Sequence, residues 1–385
     1  MSLASNIGSA LIGAGGKAME VAVTLWNTVC TGQNSLLNSY LSVNPAAGKG
    51  APAGIDTAYK LVSEGGAIWN IGMSIGAALV VFYFFAGWLK NAINVRDDIT
   101  LENIWKFVIR VMLIEMLLVN IPGLVAEFMT IGYAITDTVA GEVQPLPSAS
   151  QFAAQAGGYR TDYTWGDLTG RDQTADGVYT TYTYKDAYGY TQAVSAKDLA
   201  KAGLSTDTPS SYLEYLNNYQ AKKAAEDYGY FCGIQNQLEA AKTSAGGWLS
   251  AGGVCLVGGL LGALVIIVST ISLVSAVVSR MFRVLISIPF APAAIAGFAG
   301  GPEYSQRGMA WIRSFVGFLL EAVVILLAIN ICGAMFSAGA SGTLIQAGGG
   351  TAGVLASIMN MVIPVTVTTA VAGGADTLIR KIIGF

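Results

Sequence analysis

The chain has 385 residues and a formal net charge of −3; only 12% of its residues are charged, and its mean hydropathy is positive. It contains no histidine, which excludes the Ser-His-Asp and Cys-His nucleophile arrangements and the common zinc sites. It also lacks the glycine-rich phosphate loop of nucleotide-binding proteins and any CxxC pair. An enzyme is therefore not expected, and neither a cofactor nor a metal ion is predicted.

Two long runs without a charged residue indicate a membrane protein. One run covers 54 residues, Ala322 to Ala375, and the other covers 37 residues, Thr243 to Ser279. A helix needs about 20 apolar residues to cross a hydrocarbon core of about 30 Å. Runs of this length predict several membrane spans, so the function is to be sought in a bilayer.

Residues 1–64 are predicted to form an N-terminal extracytoplasmic or interfacial segment. They are mildly apolar, net neutral and rich in Gly, Ala, Ser and Asn. Ala18 to Cys30 is predicted to be a short helix, either on the membrane surface or packed on the bundle. Residues 44–52 contain two prolines and two glycines, which favours a linker.

Residues 65–140 are predicted to form the first pair of membrane helices. Gly65 to Leu89 contains no charged residue and forms the first span. A polar turn, Val95 to Thr100, separates it from a second helix whose membrane part runs roughly from Phe107 to Ile131.

Residues 141–245 differ sharply from the flanking chain and are predicted to form a small α+β extracytoplasmic domain. This polar segment contains 12 of the 17 tyrosines. Val178 to Tyr184 and Tyr188 to Val194 alternate between side-chain types around a short polar turn, which predicts a hairpin. The domain carries 12 acidic and 8 basic residues, so it offers no electrostatic footprint for nucleic acid.

Residues 246–385 are predicted to form a C-terminal bundle with three regular spans and one irregular segment. The irregular segment, Val284 to Gly300, contains Pro289 and Pro292. Each proline removes a backbone donor, so this segment is predicted to be broken or re-entrant. The regular spans are Trp248 to Val278, Phe315 to Phe336 and Val354 to Ala372. The fold class is therefore an all-α polytopic membrane protein of about five spans, with the inserted domain outside.

The distribution of basic residues predicts the orientation of these spans. Lys and Arg accumulate in cytoplasmic loops. Five spans with the N-terminus outside and the C-terminus in the cytoplasm place ten basic residues on the cytoplasmic side. If Val284 to Gly300 crossed completely, Arg307 and Arg313 would move outside and the C-terminus would change sides. The ten residues are Lys90, Arg96, Lys106, Arg110, Arg280, Arg283, Arg307, Arg313, Arg380 and Lys381.

Polar residues within the predicted spans are the candidate functional residues. Glu115 and Glu321 each lie well inside a span and need a partner on another helix, or water. They either orient helices through a buried hydrogen bond or line a conduit or subunit seam, and Asn120 belongs to the same polar set. Arg110 lies about one turn inside the cytoplasmic end, where its long side chain can reach the interface.

Small residues and cysteines give further candidates. Gly72 and Gly76 form one small-xxx-small pattern, which permits close helix contact. Gly258 and Gly262 form a second. Cys30 and Cys232 lie on the same, outer side in the predicted topology and can form a disulfide there; the remaining two cysteines lie in spans.

The organisation resembles a known family, the TrbL-type polytopic channel component of type IV secretion and conjugation machines. One stretch that carries the likeness is Ile-Thr-Leu-Glu-Asn-Ile-Trp-Lys-Phe-Val-Ile-Arg at 99–110, which runs on to Asn120. The other begins with Arg-Val-Leu-Ile-Ser-Ile-Pro-Phe-Ala-Pro at 283–292 and leads to Trp-Ile-Arg-Ser-Phe-Val-Gly-Phe at 311–318. The likeness covers about 220 residues of membrane region and omits the Tyr-rich domain.

The resemblance implies a homo-oligomeric base in the cytoplasmic membrane with no catalysis of its own. Its partners would be membrane lipid, secretion ATPases, and pilus or stalk subunits. The transported DNA or protein would pass without a specific nucleic-acid site. Two alternatives remain: a small-solute transporter or channel, and a membrane scaffold that anchors extracytoplasmic partners. A transporter usually shows an internal repeat with broken helices in both halves, and only one broken segment is visible here.

Overall fold

The architecture comes from a computed structural model, which describes residues 3–31, 35–41, 53–94, 101–155, 159–160, 162–175, 177, 179–186, 189–206, 208, 210–240, 244–300, 302–340, 345 and 351–383. The helices are α1 (Leu3–Cys30), α2 (Leu36–Leu41), α3 (Ala53–Val62), α4 (Ala67–Asn94), α5 (Leu101–Ala140), α6 (Ala149–Gln155), α7 (Ala196–Lys201), α8 (Ser210–Glu214), α9 (Gln220–Tyr228), α10 (Cys232–Ala240), α11 (Ala245–Ser287), α12 (Ala291–Ala296), α13 (Pro302–Ala340) and α14 (Thr351–Ile383). The strands are β1 (Thr169–Gln173), β2 (Tyr179–Lys185) and β3 (Thr191–Ser195).

The protein is a mostly helical, multi-pass membrane protein. In the described part of the chain, five helical stretches are long and apolar enough to cross a bilayer, which confirms the predicted class. They are Ile55–Gly87, Val111–Ala140, Ala245–Ala299, Tyr304–Ser337 and Ala352–Ile382.

Several helices are longer than the sequence predicted. α1 covers 28 residues, so the expected short helix at Ala18 to Cys30 is only its second half. α11 does not end before Arg280 but continues to Ser287, and α13 begins at Pro302, well before Phe315. Hydropathy marks only the apolar part of a helix, whereas backbone hydrogen bonding continues through residues that tertiary contacts keep helical.

The proline-containing segment is divided into short helical pieces, and whether it crosses or re-enters the membrane stays a prediction from sequence. After α11, a 3₁₀ turn covers Ile288–Phe290, the short helix α12 follows, and a second 3₁₀ turn covers Gly297–Gly300. Pro289 and Pro292 each stand within the first two positions of their helical piece, where a missing N–H leaves no hydrogen bond unmade. The two prolines are therefore accommodated without breaking a regular α-helical hydrogen bond.

The Tyr-rich segment contains a three-stranded antiparallel sheet in the order β1-β2-β3. The predicted hairpin is present, with Thr181 opposite Ser195 and Lys185 opposite Thr191. β1 was not predicted, because its sequence Thr-Gly-Arg-Asp-Gln lacks apolar alternation and it pairs with an irregular register. A buried core of Tyr163, Tyr184, Val194, Leu199, Tyr212 and Leu216 lies between the sheet and the helices that follow it.

Residue contacts divide the chain into two compact units. The first contains residues 1–28, 144–271 and 330–369, and the second contains residues 29–143, 272–329 and 370–385. Four of these divisions fall inside the helices α1, α11, α13 and α14. The domain boundaries expected from composition, at 64, 140 and 245, stay a prediction. Each unit is described by itself below.

In the second unit, α4 packs directly on the backbone of the broken segment. A Cβ added at Gly72 would overlap the carbonyl oxygen of Pro289, and one added at Gly76 would lie 2.6 Å from the Cβ of Pro292. Glycine is thus required at both positions for this close approach. The small-xxx-small pattern serves a helix-to-broken-segment contact rather than a contact between two regular helices.

In the first unit, the other glycine pair faces side chains. A Cβ at Gly258 would meet the tip of the Ile358 side chain, and one at Gly262 would lie 2.9 Å from the sulfur of Met19. Both neighbours are flexible side chains that can move by a few tenths of an ångström. These two glycines are therefore less restrictive than Gly72.

We expect Gly72→Ala to destabilise the protein by about 1–3 kcal/mol, the usual cost of overpacking a site that cannot relax. The obstacle is a backbone carbonyl, which cannot rotate away as a side chain can. Thermal unfolding of the detergent-solubilised protein would measure the effect. Gly123→Ala is the matched control, because nothing lies within 4 Å of a Cβ there. Equal unfolding temperatures for the two variants would contradict the close contact.

Candidate functional site

A group of charged side chains from three helices meets inside the second unit. This charge cluster consists of Arg280 and Arg283 from α11, Glu321 from α13, and Asp376 and Arg380 from α14. Charges inside a membrane bundle are rare and are tolerated only when paired or hydrated. The cluster is therefore the first place to look for function.

Arg280 is fully buried and holds α11 against the backbone of α13. Its Nε donates to the carbonyl oxygen of Phe318 at 2.8 Å, and its Nη2 donates to that of Leu319 at 3.2 Å. Its guanidinium carbon lies 5.8 Å from the centroid of the Tyr133 ring of α5, within cation–π range. One side chain thus contacts two further helices.

Glu321 finds its partner on α11. The carboxylate is only 2% exposed, and its Oε1 accepts a hydrogen bond from Nη2 of Arg283 at 3.1 Å. Nη1 of the same arginine lies 3.7 Å from Oδ2 of Asp376, whose Oδ1 accepts from Nε of Arg380 at 3.0 Å. Two cations, Arg283 and Arg380, and two carboxylates form a chain of ion pairs across α11, α13 and α14.

Two polar atoms of the cluster have no hydrogen-bond partner in the described part of the chain. They are Nη1 of Arg280 and Oε2 of Glu321, and both are buried. An unsatisfied buried polar atom costs about 1–3 kcal/mol, and more when it is charged. The cluster is therefore under-satisfied by the described protein atoms alone.

The ion pair between Arg283 and Glu321 was missed because it joins residues 38 positions apart. The sequence placed both α11 arginines at the cytoplasmic end of a span, in contact with water. A usable pattern was nevertheless present. If α11 and α13 are read as a hairpin that turns near residue 300, positions equally distant from the turn face each other, and residues 283 and 321 are nearly symmetric about it.

Glu115 and Asn120 lie elsewhere, on the exposed side of α5. Both side chains are exposed, and together with Met112, Met116 and Val119 they line a shallow surface notch. Asn120 uses one amide hydrogen to bond the carbonyl of Met116 at 2.7 Å. The structure thus separates the two candidate glutamates: it encloses Glu321 in protein and leaves Glu115 uncovered. The side chain of Arg110 falls outside the described residues.

Arg280 lies beside Tyr133 of α5, whereas Arg307 bonds Tyr83 of α4. Arg307 donates to the hydroxyl of Tyr83 at 3.1 Å, and Tyr83 belongs to a buried cluster that includes Ile114. Tyr133, beside Arg280, lies 19 residues beyond Ile114, about 28 Å along a helix that rises 1.5 Å per residue. That is nearly the thickness of a hydrocarbon core. The grouping of all ten basic residues on one membrane face stays a prediction from sequence.

The disulfide considered for Cys30 and Cys232 is not formed. Both residues are buried thiols, as are the other two cysteines. Burial raises the pKa of the Cys232 thiol to about 12. The same effect raises the pKa of Tyr184, in the core of the Tyr-rich domain, to about 12. Neither group ionises near neutral pH, so both act as packing residues.

Comparison of the chain with protein-family models, with curated proteins and with solved structures gives no match. The function therefore has to be argued from the two polar sites themselves.

We expect Glu321→Leu to lower the free energy of unfolding by about 3 kcal/mol, the low end of the 3–5 kcal/mol for breaking a buried ion pair. The low end applies because Arg283 keeps Asp376 as a second partner. Glu127→Leu makes the same substitution at an exposed position of α5 and is the matched control. Adding Arg283→Met to Glu321→Leu should recover much of the loss, as measured by thermal unfolding. A Glu321→Leu variant as stable as the control would contradict a stabilising role for the pair.

We expect Cys232 to resist alkylation in the folded protein at pH 8, because its thiol is buried and its pKa of about 12 leaves almost no thiolate. Mass spectrometry after treatment with a maleimide would count the labelled cysteines. Denaturant should expose four alkylatable thiols without a reductant. A requirement for reductant before Cys30 and Cys232 react would instead reveal a disulfide.

Proposed function

We propose that this chain is a non-catalytic, multi-pass subunit of a TrbL-type secretion or conjugation channel, and that it works as a homo-oligomer in the cytoplasmic membrane. The observation that carries this proposal is the exposed pair Glu115 and Asn120 on a membrane-spanning helix. The family likeness of residues 99–120 and 283–318 supports the choice of machine. The exposed Glu115 and Asn120 support the assembly of several copies of the chain.

Glu115 is an exposed carboxylate near one end of a membrane-spanning helix. It lies about one turn inside the stretch Val111–Ala140, and an acidic side chain at the centre of a spanning helix costs roughly 2.5–3.5 kcal/mol on insertion scales. No described residue of the chain forms a hydrogen bond or an ion pair with this carboxylate. A neighbouring subunit that places a polar group in the notch removes the exposure, and the apolar rim of Met112, Met116 and Val119 packs against the same neighbour.

The rest of the chain suits a channel subunit. The Tyr-rich domain has its own sheet and core and presents exposed aromatic side chains, including Trp165 and Tyr190. Tyr and Trp are enriched at protein contacts. In this proposal the domain faces pilus or stalk components outside the membrane, and the secretion ATPases meet the opposite face. Transported DNA or protein would pass along the oligomer rather than bind a specific site.

The proposed orientation places the N-terminus and the Tyr-rich domain outside and the polar turn at residues 95–100 in the cytoplasm. Arg307 bonds the hydroxyl of Tyr83, which lies in the C-terminal half of α4, the half that leads to that turn. A basic residue at this end of α4 favours a cytoplasmic position for the turn. Arg280 and Arg283 are left out of this assignment, because Arg280 donates to backbone carbonyls and Arg283 pairs with carboxylates within the bundle. A cytoplasmic C-terminus stays a prediction from sequence.

A second candidate function is a small-solute transporter or channel, favoured by the unpaired atoms of Arg280 and Glu321. Buried donors and acceptors without protein partners are the kind of group that lines a hydrated path. However, the broken segment has no counterpart in the first half of the sequence. A scaffold that anchors partners through the Tyr-rich domain remains the third reading, and it shares the same surfaces.

We expect Glu115→Leu combined with Asn120→Leu to abolish the oligomer and transfer by the host element, while membrane insertion and thermal stability are retained. The substitutions remove the polar groups that need a neighbour and make the monomer more compatible with lipid. Native mass spectrometry in mild detergent would give the oligomer number, and a mating or secretion assay would give transfer.

Thr130→Val is the control for this experiment, since Thr130 is also exposed on α5 but already bonds its own helix at the carbonyl of Ala126. It should leave the oligomer and transfer unchanged. A doubly substituted protein that still assembles and transfers like the parent would defeat the proposed seam. A monodisperse parent monomer that moves a small solute in liposomes would replace the proposal with the transporter.

A further inference from the structure

The N-terminal helix α1 packs on α11 so closely that no side chain separates the two backbones. A Cβ added at Gly252 would lie 2.7 Å from the carbonyl oxygen of Gly8, and one at Gly259 would lie 2.5 Å from that of Gly15. Residues 8, 15, 252 and 259 all belong to the first unit. The glycine-rich start of the sequence therefore serves helix contact.

The register shows that the two helices run in the same direction. Going from Gly8 to Gly15 advances seven residues on α1, and the contacts advance seven residues on α11, from Gly252 to Gly259. Further along, Met19 meets Gly262. Two turns of contact with matched spacing fix the depth of α1 relative to α11: residues 8–19 lie beside residues 252–262.

That part of α11 is membrane-spanning by length and apolarity, since it lies within Ala245–Ala299. Its outer side exposes Val257, Leu260, Leu261 and Leu264. Because the backbone of α1 contacts the backbone of this stretch, α1 lies at the same level as residues 252–262 of α11. The depth of α11 in the bilayer therefore determines the depth of α1.

The composition of α1 is compatible with lipid. Its only charged residues are Lys17 and Glu20, and they form an ion pair at 2.8 Å, so the 28-residue helix has no net charge. It is on average as apolar as α13 and α14, both of which contain spanning stretches. Its length of about 42 Å exceeds a hydrocarbon core of about 30 Å.

The side of α1 that faces away from the protein is apolar. Ile7 is 45% exposed and Val21 is 67% exposed, and Leu3, Ala10 and Ala14 are exposed on the same face. Leu3, Ile7, Ala10 and Ala14 follow one another at spacings of three and four residues, which is one stripe of a helix. Val21 lies two turns beyond Ala14, with the partly exposed Lys17 between them at the edge of the stripe. In water this stripe would be an uncovered hydrophobic surface, whereas beside the lipid-facing side chains of α11 it matches its surroundings.

We propose that α1 is a membrane helix whose exposed stripe contacts the hydrocarbon of the bilayer. The sequence had assigned it to an extracytoplasmic or surface segment, because Gly, Ala, Ser and Asn dilute its hydropathy. This inference rests on the spanning assignment of α11 and is independent of the secretion function. It adds a sixth helix to the membrane region and places the first residues of the chain on the same side as the start of α11.

Spin labels on single cysteines test the proposal in liposomes that contain the full-length protein. The test positions are Ile7→Cys and Val21→Cys, the lipid reference is Leu260→Cys, and the water reference is Lys185→Cys on β2. The four native cysteines are buried, and the parent protein gives the background labelling. Collision with molecular oxygen reports lipid, and collision with a water-soluble nickel chelate reports water.

We expect the oxygen-to-nickel accessibility ratio at Ile7 and Val21 to match that at Leu260 and to exceed that at Lys185 by about tenfold. A ratio close to that of Lys185 would overturn the proposal, because α1 would then lie in water. Low access to both reagents would also overturn it, in favour of a second protein chain covering the stripe. A water-like ratio at Leu260 itself would show that this part of α11 is not in the membrane, and the proposal would fail with it. The oligomer experiment on Glu115 and Asn120 would be unaffected.

Discussion

The second unit depends on satisfying the charges of Arg280 and Arg283 inside an apolar bundle. An arginine there is costly unless carbonyls or carboxylates accept its protons. Arg280 uses two carbonyls of α13, and Arg283 uses Glu321 and Asp376. These contacts fix the register of α11 against α13 and α14. A shift of one turn would leave several buried charges without partners, so the apolar contacts of the unit follow from the polar ones.

Glycine sets how closely the backbones approach in both units. At Gly72 it admits the carbonyl of Pro289, and at Gly8, Gly15, Gly252 and Gly259 it brings α1 onto α11. Lipid tails are as apolar as leucine, so burying apolar surface supplies little force between helices in a bilayer. Close van der Waals contact and polar pairing must therefore hold the bundle together. The glycines permit the close contact, and the arginines make the polar pairs.

The outer surface divides into parts that suit different neighbours. The notch of Glu115 and Asn120 carries polar groups on a spanning helix and suits another protein chain, whereas the exposed stripe of α1 carries none and suits lipid. The Tyr-rich domain has its own core and offers aromatic groups to partners in water.

The sequence by itself determined the membrane class and the hairpin of the Tyr-rich segment. Each of these depends on local composition or spacing, which a linear reading captures. Only the tertiary structure decided that Arg283 pairs with Glu321, that Arg280 is buried, that Glu115 is uncovered and that α1 lies against α11. These facts depend on residues far apart in sequence, and a charge near a helix end looks the same in sequence whether water or another helix receives it.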